Sequence, residues 1–483
     1  MAAAHALVTK TPAGELPAEV RLFEASGRLG GTIETVSEGG FTIECGPDSW
    51  VTERSATREL AAELGLADQI ICSNDAVRRT YLASGNALTA MPEGMRMMVP
   101  TRWLPILESP LFSWQARLAY LREPRRAEEF KALALSRPDG FDESVRDFVV
   151  RHFGEEATET IAGPLLAGVF GGDIRLLSAG AVLAQFVRLE REHGSLIAPM
   201  MQRAQQTTAA DAGAAPIFTT LRDGLGLLID AIARILPSKT LRLRTPVEGL
   251  RPAGQRTGLS TGPRDGWVVS SAAHGEEQFD AVVVATPADV TRALLAPMLP
   301  EAAELLEMEA TSAIVAALCW DADASQRLRV PRGFGFLVPP VQALGGGASD
   351  PHLLAGTFMH QKFDHRAPAG AVFLRGYFGG SSALQMEGWS DERIAEVARE
   401  RFARLLGPLP AASYTVVRRW PRSLPQYRVG HVVRMQVLEK LIDAMPGLAL
   451  AGNAYKGVGL SAVVEQAQVA AAHAWESGAR HAQ

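Results

Sequence analysis

The stretch "VRLFEASGRLGG", Val20 to Gly31, decides the fold. Its apolar run from Val20 to Phe23 is bounded by turn signals, which predicts a short buried parallel strand. The acid Glu24 ends that strand, and Gly30 and Gly31 follow in a turn. In dinucleotide-binding folds an acid in this position lies about 20 residues after a glycine-rich phosphate loop. Counting back from Glu24 puts the last glycine of such a loop at or before Met1. "AAAHALV" consists of strong helix formers and predicts the helix that follows the loop. Gly14, between Pro12 and Pro17, belongs to the turn after that helix and cannot replace the loop. The expectation is that the natural protein starts one strand and one loop earlier.

The rest of the chain extends this α/β reading. "TIETV" and "FTIEC" alternate around Gly39 and Gly40 and predict a hairpin, and a helical period runs from Ala56 to Leu66. Proline-punctuated helical pattern fills residues 91–205, and the small, polar Thr207 to Pro216 reads as a linker. A helix follows in "LRDGLGLLIDAIARIL". Strands are expected around Leu241 to Val247, Gly266 to Ser271 and Phe279 to Pro287, and a β-rich region from Ala313 to Gly380. "LALAGNAYKGVG" reads as a buried strand, a glycine turn and a helix starting near Gly459. A helix N-terminus offers free N–H groups and partial positive charge to a phosphate or to the electron-rich edge of a flavin.

Composition limits the function. The chain has 483 residues, 47% of them hydrophobic, and a formal net charge of -5, which argues against a nucleic-acid partner. Cys45, Cys72 and Cys319 are too scattered for a zinc site or a disulfide framework, so a reducing compartment, the cytoplasm, is expected. No apolar run is long enough to span a bilayer. His360 and His365 in "HQKFDH" lack a third ligand, and no metal is expected.

The acid-ended strand with "GRLGG", the strand with "VVVATP" and the C-terminal "LAGNAYKGVG", in this order, resemble the flavin-containing amine oxidase superfamily. "ECGPDSWVT", "GPLLAGVFGGD" and "RRWPRSLPQYRVGH" narrow the resemblance to the protoporphyrinogen oxidases and their coproporphyrinogen-oxidising sisters. The resemblance runs to about Ala472. It implies an FAD-binding Rossmann-like domain of discontinuous segments (1–75, 216–290 and 445–483), a β-rich substrate domain (76–90 and 291–444) and a helical insert (91–205).

By the same resemblance, Glu24 bonds the adenosine ribose of FAD, and Arg28, Gly30 and Gly31 run along the cofactor. Gly46, Pro47, Asp48 and Ser49 lead to the isoalloxazine, Val247 gives backbone contacts to adenine, and Gly452, Asn453, Gly457, Val458 and Gly459 complete the site. A solvated glutamate, a plain loop and a buried strand valine are the bland alternatives. If two or three backbone bonds to the pyrophosphate are absent, at about 1.5–3 kcal/mol each, the chain as written binds FAD weakly and its activity suffers.

A tetrapyrrole pocket needs apolar walls and cationic anchors. The resemblance assigns Arg79 to a propionate and Gly168, Phe334, Gly335 and Leu337 to the ring; a strand-end arginine and core packing are the alternatives. The implied reaction is oxidation of a porphyrinogen by molecular oxygen through FAD in haem synthesis, with no protein acid or base assigned. Protoporphyrinogen carries fewer propionates than coproporphyrinogen and suits a pocket read as Arg79 with Phe334, Phe336, Leu337 and Phe358, unless Lys362 and Arg375 face it. Coproporphyrinogen III, another amine-oxidase substrate and a non-enzymatic binder stay open. In residues 91–131, Trp103, Phe112 and Trp114 among arginines fit a peripheral membrane contact or a helical cap over the pocket.

Overall fold

The computed structural model describes residues 1–9, 18–210, 216–254, 266–339 and 350–481. The helix Ala2–Thr9 lays Ala3 and Ala6 on Ala467, Ala470 and Ala471 of the C-terminal helix Leu460–His481. Alanine on both surfaces lets the two backbones approach closely. Beside them the strand Leu22–Phe23 pairs in parallel with Leu241–Arg242, and Val282–Val284 pairs in parallel with Leu448–Leu450. Both pairings join residues more than 150 positions apart, so this unit is assembled from separated segments. The two pairs are separate ladders among the described residues.

Two strands are shorter than the sequence suggests. The run Leu241 to Val247 splits after Arg242, because Arg244 adopts a left-handed backbone (φ 52°) and Pro246 cannot donate to a ladder. Val247 opens a different strand, Val247–Pro252. Phe279 ends the strand Gly275–Phe279, and only Val282–Val284 joins Leu448–Leu450. The helix Ile197–Ala210 runs through the first four residues of the expected linker, and 211–215 lie outside the described residues.

A seven-stranded sheet forms the second unit, in the order Tyr414–Pro425, Ala310–Trp320, Val372–Gly379, Ala355–Phe358, Gly335–Leu337, Thr80–Ser84, Ala87–Ala90. Successive side chains of a strand point to opposite faces. Ile314, Ala316, Leu318, Leu374 and Phe378 therefore pack with Ile394, Ala398 and Phe402 of the helix Asp391–Leu406. Ala317, Cys319 and Phe373 face the other way, onto Phe41, Ile43 and Cys45 of the hairpin Thr35–Glu38 and Phe41–Glu44.

The helical insert has its own core, with Tyr120, Phe148, Phe153 and Phe186 fully buried. It also encloses a polar cluster. His152 lies between Glu123 (3.1 Å from Nδ1) and Glu190 (3.2 Å from Nε2), and Glu123 also accepts from Ser195 and from the Leu196 N–H. Burial would raise the Glu190 carboxyl, but His152 and Arg151 hold it below its ordinary value.

Candidate functional site

Three separated loops converge. Ile33, Trp50 and Leu460 share one apolar cluster with Leu221, Leu225 and Leu228. The edge strand Tyr414–Pro425 spans the other side: Trp420 Nε1 donates to the Cys45 carbonyl at 2.7 Å, and the Ser423 carbonyl accepts from Asn453 Nδ2 at 2.9 Å. At the head of the C-terminal helix, Ser461 and Thr57 hydroxyls lie 2.9 Å apart.

Glu24 stands at the end of its strand, held by Glu24 N–H to Arg242 O and Thr245 N–H to Glu24 O, both 2.9 Å. Oε1 accepts from the Ser26 N–H at 2.8 Å. Met1 packs in one apolar cluster with Val20 and Leu22, so the start of the first helix lies beside the strand that Glu24 ends, and burial pushes the Met1 ammonium down. Arg28 turns inward: its guanidinium donates to the carbonyls of Leu29, Gly31 and Ile33 and lies over Trp420, 5.5 Å from the ring centre. It builds the turn carrying Gly30 and Gly31. Val247 is half-buried against the cluster around Trp267, two residues past Thr245.

Gly46 lies so close to Thr32 that a Cβ would sit 1.9 Å from its carbonyl oxygen, so no other residue fits. Pro47 follows, and Asp48 is then locked in place. Its two oxygens accept from Lys362 Nζ at 3.1 and 3.0 Å, Arg375 Nη1 is 3.2 Å away, and the Ser49 hydroxyl donates at 2.6 Å. Burial alone would raise the Asp48 carboxyl; Lys362 and Arg375 outweigh it and hold the group well below the usual carboxylate range. Arg366 pairs with the fully buried Glu44 at 3.3 Å, and burial raises that carboxyl despite the pairing. The cluster thus holds three cations, Lys362, Arg366 and Arg375, against two carboxylates. Arg375 Nε and Nη1 make no hydrogen bond among the described residues.

The C-terminal turn carries Gly452 (φ 149°) and Gly457 (φ 126°), backbone regions that favour glycine, followed by Val458 and Gly459. Around Gly31 and Gly459 a Cβ would meet nothing within 4 Å, so the backbone faces open space.

The expected ring-binding residues are only partly assembled. Gly168 faces Leu337 and Ala355, with a built Cβ 3.5 and 4.0 Å from their side chains. Gly335 lies two residues from Leu337 on the same strand face, and Phe334 is buried 6.5 Å from Phe218. Arg79 is half-exposed and faces Glu93 at 3.7 Å, so its side chain is drawn to an acid at the rim. Phe336 and Phe358 pack with Phe402 on the far face of the sheet. Lys362 and Arg375 lie on the near face, as part of the Asp48 cluster. Away from these residues, a cavity of about 670 Å³ is lined by ion pairs including Arg422–Asp289, Arg428–Glu309 and Arg292–Glu307.

Residues 1–474 match the family described as flavin containing amine oxidoreductase. The chain belongs to this family. It is 31% identical to coproporphyrinogen III oxidase of Bacillus subtilis (strain 168), covering 98% of this chain and 95% of that protein. It is 27% identical to protoporphyrinogen oxidase 1, chloroplastic, of Arabidopsis thaliana, over 96% of this chain and 84% of the relative. Among solved structures, a candidate protoporphyrinogen oxidase from Exiguobacterium sp. 255-15 superposes with a TM-score of 0.76 at 26% identity, covering 98% of this chain and 95% of that one. The chain is therefore an oxidoreductase of the flavin type with FAD as its cofactor.

The described residues fit that cofactor. The buried Trp50 indole N–H, in the cluster where the three loops meet, has no acceptor among the described residues. The Gly31 and Gly459 backbones face open space, and the first helix starts beside the strand that Glu24 ends. Sequence reasoning did not assign roles to Glu34, Arg418, Trp420, Tyr427 and His431, although four of them lie in the quoted "RRWPRSLPQYRVGH". Motif resemblance marked the segment; only long-range contacts show what each side chain holds.

Proposed function

We propose that this flavoprotein oxidises a porphyrinogen to a porphyrin, in haem synthesis, with molecular oxygen as the final acceptor. When bound, FAD supplies a two-electron acceptor that oxygen returns to its oxidised state with release of peroxide. Three such cycles remove six electrons and six hydrogens from the macrocycle and consume three molecules of oxygen. Glu24 and the turns at Gly30–Gly31 and Gly452–Gly459 would hold the cofactor, with the Val247 backbone at the adenine. Gly46 to Ser49 form the loop that Lys362 and Arg375 fix against the substrate sheet. Gly168, Phe334, Gly335 and Leu337 would line the macrocycle, and Arg79 would meet a propionate at the rim.

The observation that carries this reading is the meeting of the Gly46–Ser49 loop with the inner face of the seven-stranded sheet, where a buried ion cluster adjoins an apolar wall. Two of the phenylalanines that favoured protoporphyrinogen, Phe336 and Phe358, face away, while Lys362 and Arg375 are buried on the near face and paired with Asp48. We rank coproporphyrinogen III ahead of protoporphyrinogen because the relative that is 31% identical over 98% of this chain is a coproporphyrinogen III oxidase, against 27% for the chloroplastic protoporphyrinogen oxidase. Assaying both anaerobically prepared porphyrinogens side by side by porphyrin fluorescence tests it. A higher kcat/KM for coproporphyrinogen III is expected; a preference for protoporphyrinogen reverses the ranking, and turnover of neither refutes the reading.

We propose a peripheral membrane contact through the insert. Of the aromatic residues expected there, Trp114 is exposed, but Phe112 is buried in the insert's core and Trp103 packs against that core; Leu104 and Leu135 are exposed instead, with Arg102, Arg122 and Arg125 nearby in sequence and exposed as well. No helix among the described residues is long and apolar enough to cross a membrane. Co-sedimentation with vesicles containing anionic lipid should fall for Trp114→Ala; equal sedimentation of the variant, or none for the parent, refutes the contact.

A further inference from the structure

One short segment, Gln426 to His431, touches both the cofactor turn and the helical insert. Tyr427 is 2% exposed. Its hydroxyl donates to the Asn453 carbonyl at 2.5 Å and accepts from the Gly457 N–H at 3.0 Å, closing the turn at both ends. One ring step away, His431 stacks on Tyr427 with centroids 3.9 Å apart and planes inclined by 13°. Its Nε2 lies 2.9 Å from the Tyr455 carbonyl, which can only accept, so Nε2 carries the proton and donates. Burial pushes the His431 imidazole down to about 4, so the ring is neutral at physiological pH and Nδ1 is its bare nitrogen. Three backbone groups of one five-residue turn are thus held by two side chains four residues apart.

The opposite side of the segment grips the insert. Ser178 N–H donates to the Tyr427 carbonyl at 2.7 Å, Val429 N–H to Leu176 O at 3.0 Å, and Gln426 Nε2 to Phe170 O at 2.7 Å. Asp142 bridges the two: Oδ2 accepts from Gly430 N–H at 2.7 Å and Oδ1 from Gly180 N–H at 3.0 Å. Phe170 ends the helix that carries Gly168, the residue facing Leu337.

We propose that Tyr427 and His431 are positioning residues that fix the Asn453–Gly457 turn for the flavin and couple its geometry to the helical insert. This rests on membership of the flavin family and not on the porphyrinogen reading. A rigid turn holds its free backbone groups at a fixed orientation, so no part of the binding free energy goes into ordering it. Because the same peptide segment bonds the insert, a shift of the insert's Phe170–Gly180 stretch reaches the turn through Tyr427.

The test uses the full chain without porphyrinogen. Tyr427→Phe removes one hydroxyl, keeps the ring on His431, and deletes both turn bonds. Its dissociation constant for FAD, from titration of FAD-free protein, should rise at least tenfold, because FAD must then order the released turn on binding. The flavin absorbance maxima should shift, and amide exchange at Gly457 in the FAD-free protein should accelerate. His431→Gln, which keeps an N–H donor for Tyr455 O, should bind FAD more tightly than His431→Leu. Asp142→Ala, which touches the segment only at Gly430, should also speed exchange at Gly457. Unchanged FAD affinity and unchanged Gly457 exchange in Tyr427→Phe overturn the positioning role. Exchange raised uniformly along the chain overturns it too, since Tyr427 would then be a packing residue. If Tyr427→Phe does not fold, equal FAD affinity for His431→Gln and His431→Leu is the overturning result. Gly457 exchange unmoved by Asp142→Ala overturns the coupling.

Discussion

Asp48 shows how one residue letter carries two readings. The motif "GPDS" marks it as cofactor-adjacent, and its carboxylate is paired with Lys362, Arg375 and Ser49, which fixes the loop. Removing one partner of a buried ion cluster leaves uncompensated charge, which typically costs about 3–5 kcal/mol. Asp48→Asn should therefore lower the urea unfolding free energy by about that amount at neutral pH. The folded-state value of Asp48 is depressed, so its contribution is complete above its ordinary value of 3.8 and is lost as pH falls through the depressed value. Glu44, with its value raised by burial, has the opposite sign: it costs stability above its ordinary value and regains it on protonation. The gap between parent and Asp48→Asn should thus narrow below about pH 4 while Glu44 affects both alike. A gap independent of pH would show that Asp48 is not the titrating group.

At the scale of elements, periodicity exposed what was local. The hairpin about Gly39–Gly40, the helices Ala2–Thr9 and Ala56–Glu63, and the strand before the C-terminal helix follow from alternation, helix formers and turn residues. Strand ends did not, because Arg244 and Phe279 take their conformations from the partners they meet. The polar heart of the insert was also invisible in sequence, since Glu123, His152 and Glu190 come from three helical stretches. His152→Leu takes the imidazole from between two buried carboxylates, of which Glu123 keeps Ser195 and the Leu196 N–H and Glu190 keeps Arg151, and the cost should be about 1–3 kcal/mol. Hydrogen exchange should speed up in the helices Val145–Ala157 and Ala184–His193 and leave the seven-stranded sheet unchanged; equal acceleration of both would contradict a local role.

Across the whole molecule, ion pairs tie the loops around Glu34 and Asp48 to the seven-stranded sheet and the short helix beside it. Glu34 takes Arg418 Nε and Nη2 at 2.9–3.1 Å, and Asp48 takes Lys362 and Arg375. Combining Asp48→Asn with Arg418→Gln should uncouple them, so that denaturation followed by tryptophan fluorescence and by far-ultraviolet circular dichroism no longer coincides. Coincident transitions in the double variant would show that the apolar contacts alone keep the units cooperative.

Local information in the sequence was enough for the α/β class and the flavin family, because apolar period and motif order are written in neighbouring residues. Tertiary structure alone decided the contacts of Asp48, Lys362, Arg375 and Tyr427. Their partners lie tens to hundreds of positions away, and where Lys362 and Arg375 point depends on how the helix Met359–Lys362 and the strand Val372–Gly379 meet the Asp48 loop in the assembled molecule. Phe336 and Phe358 make the same point: one step of strand register separates the wall of a pocket from the core behind it.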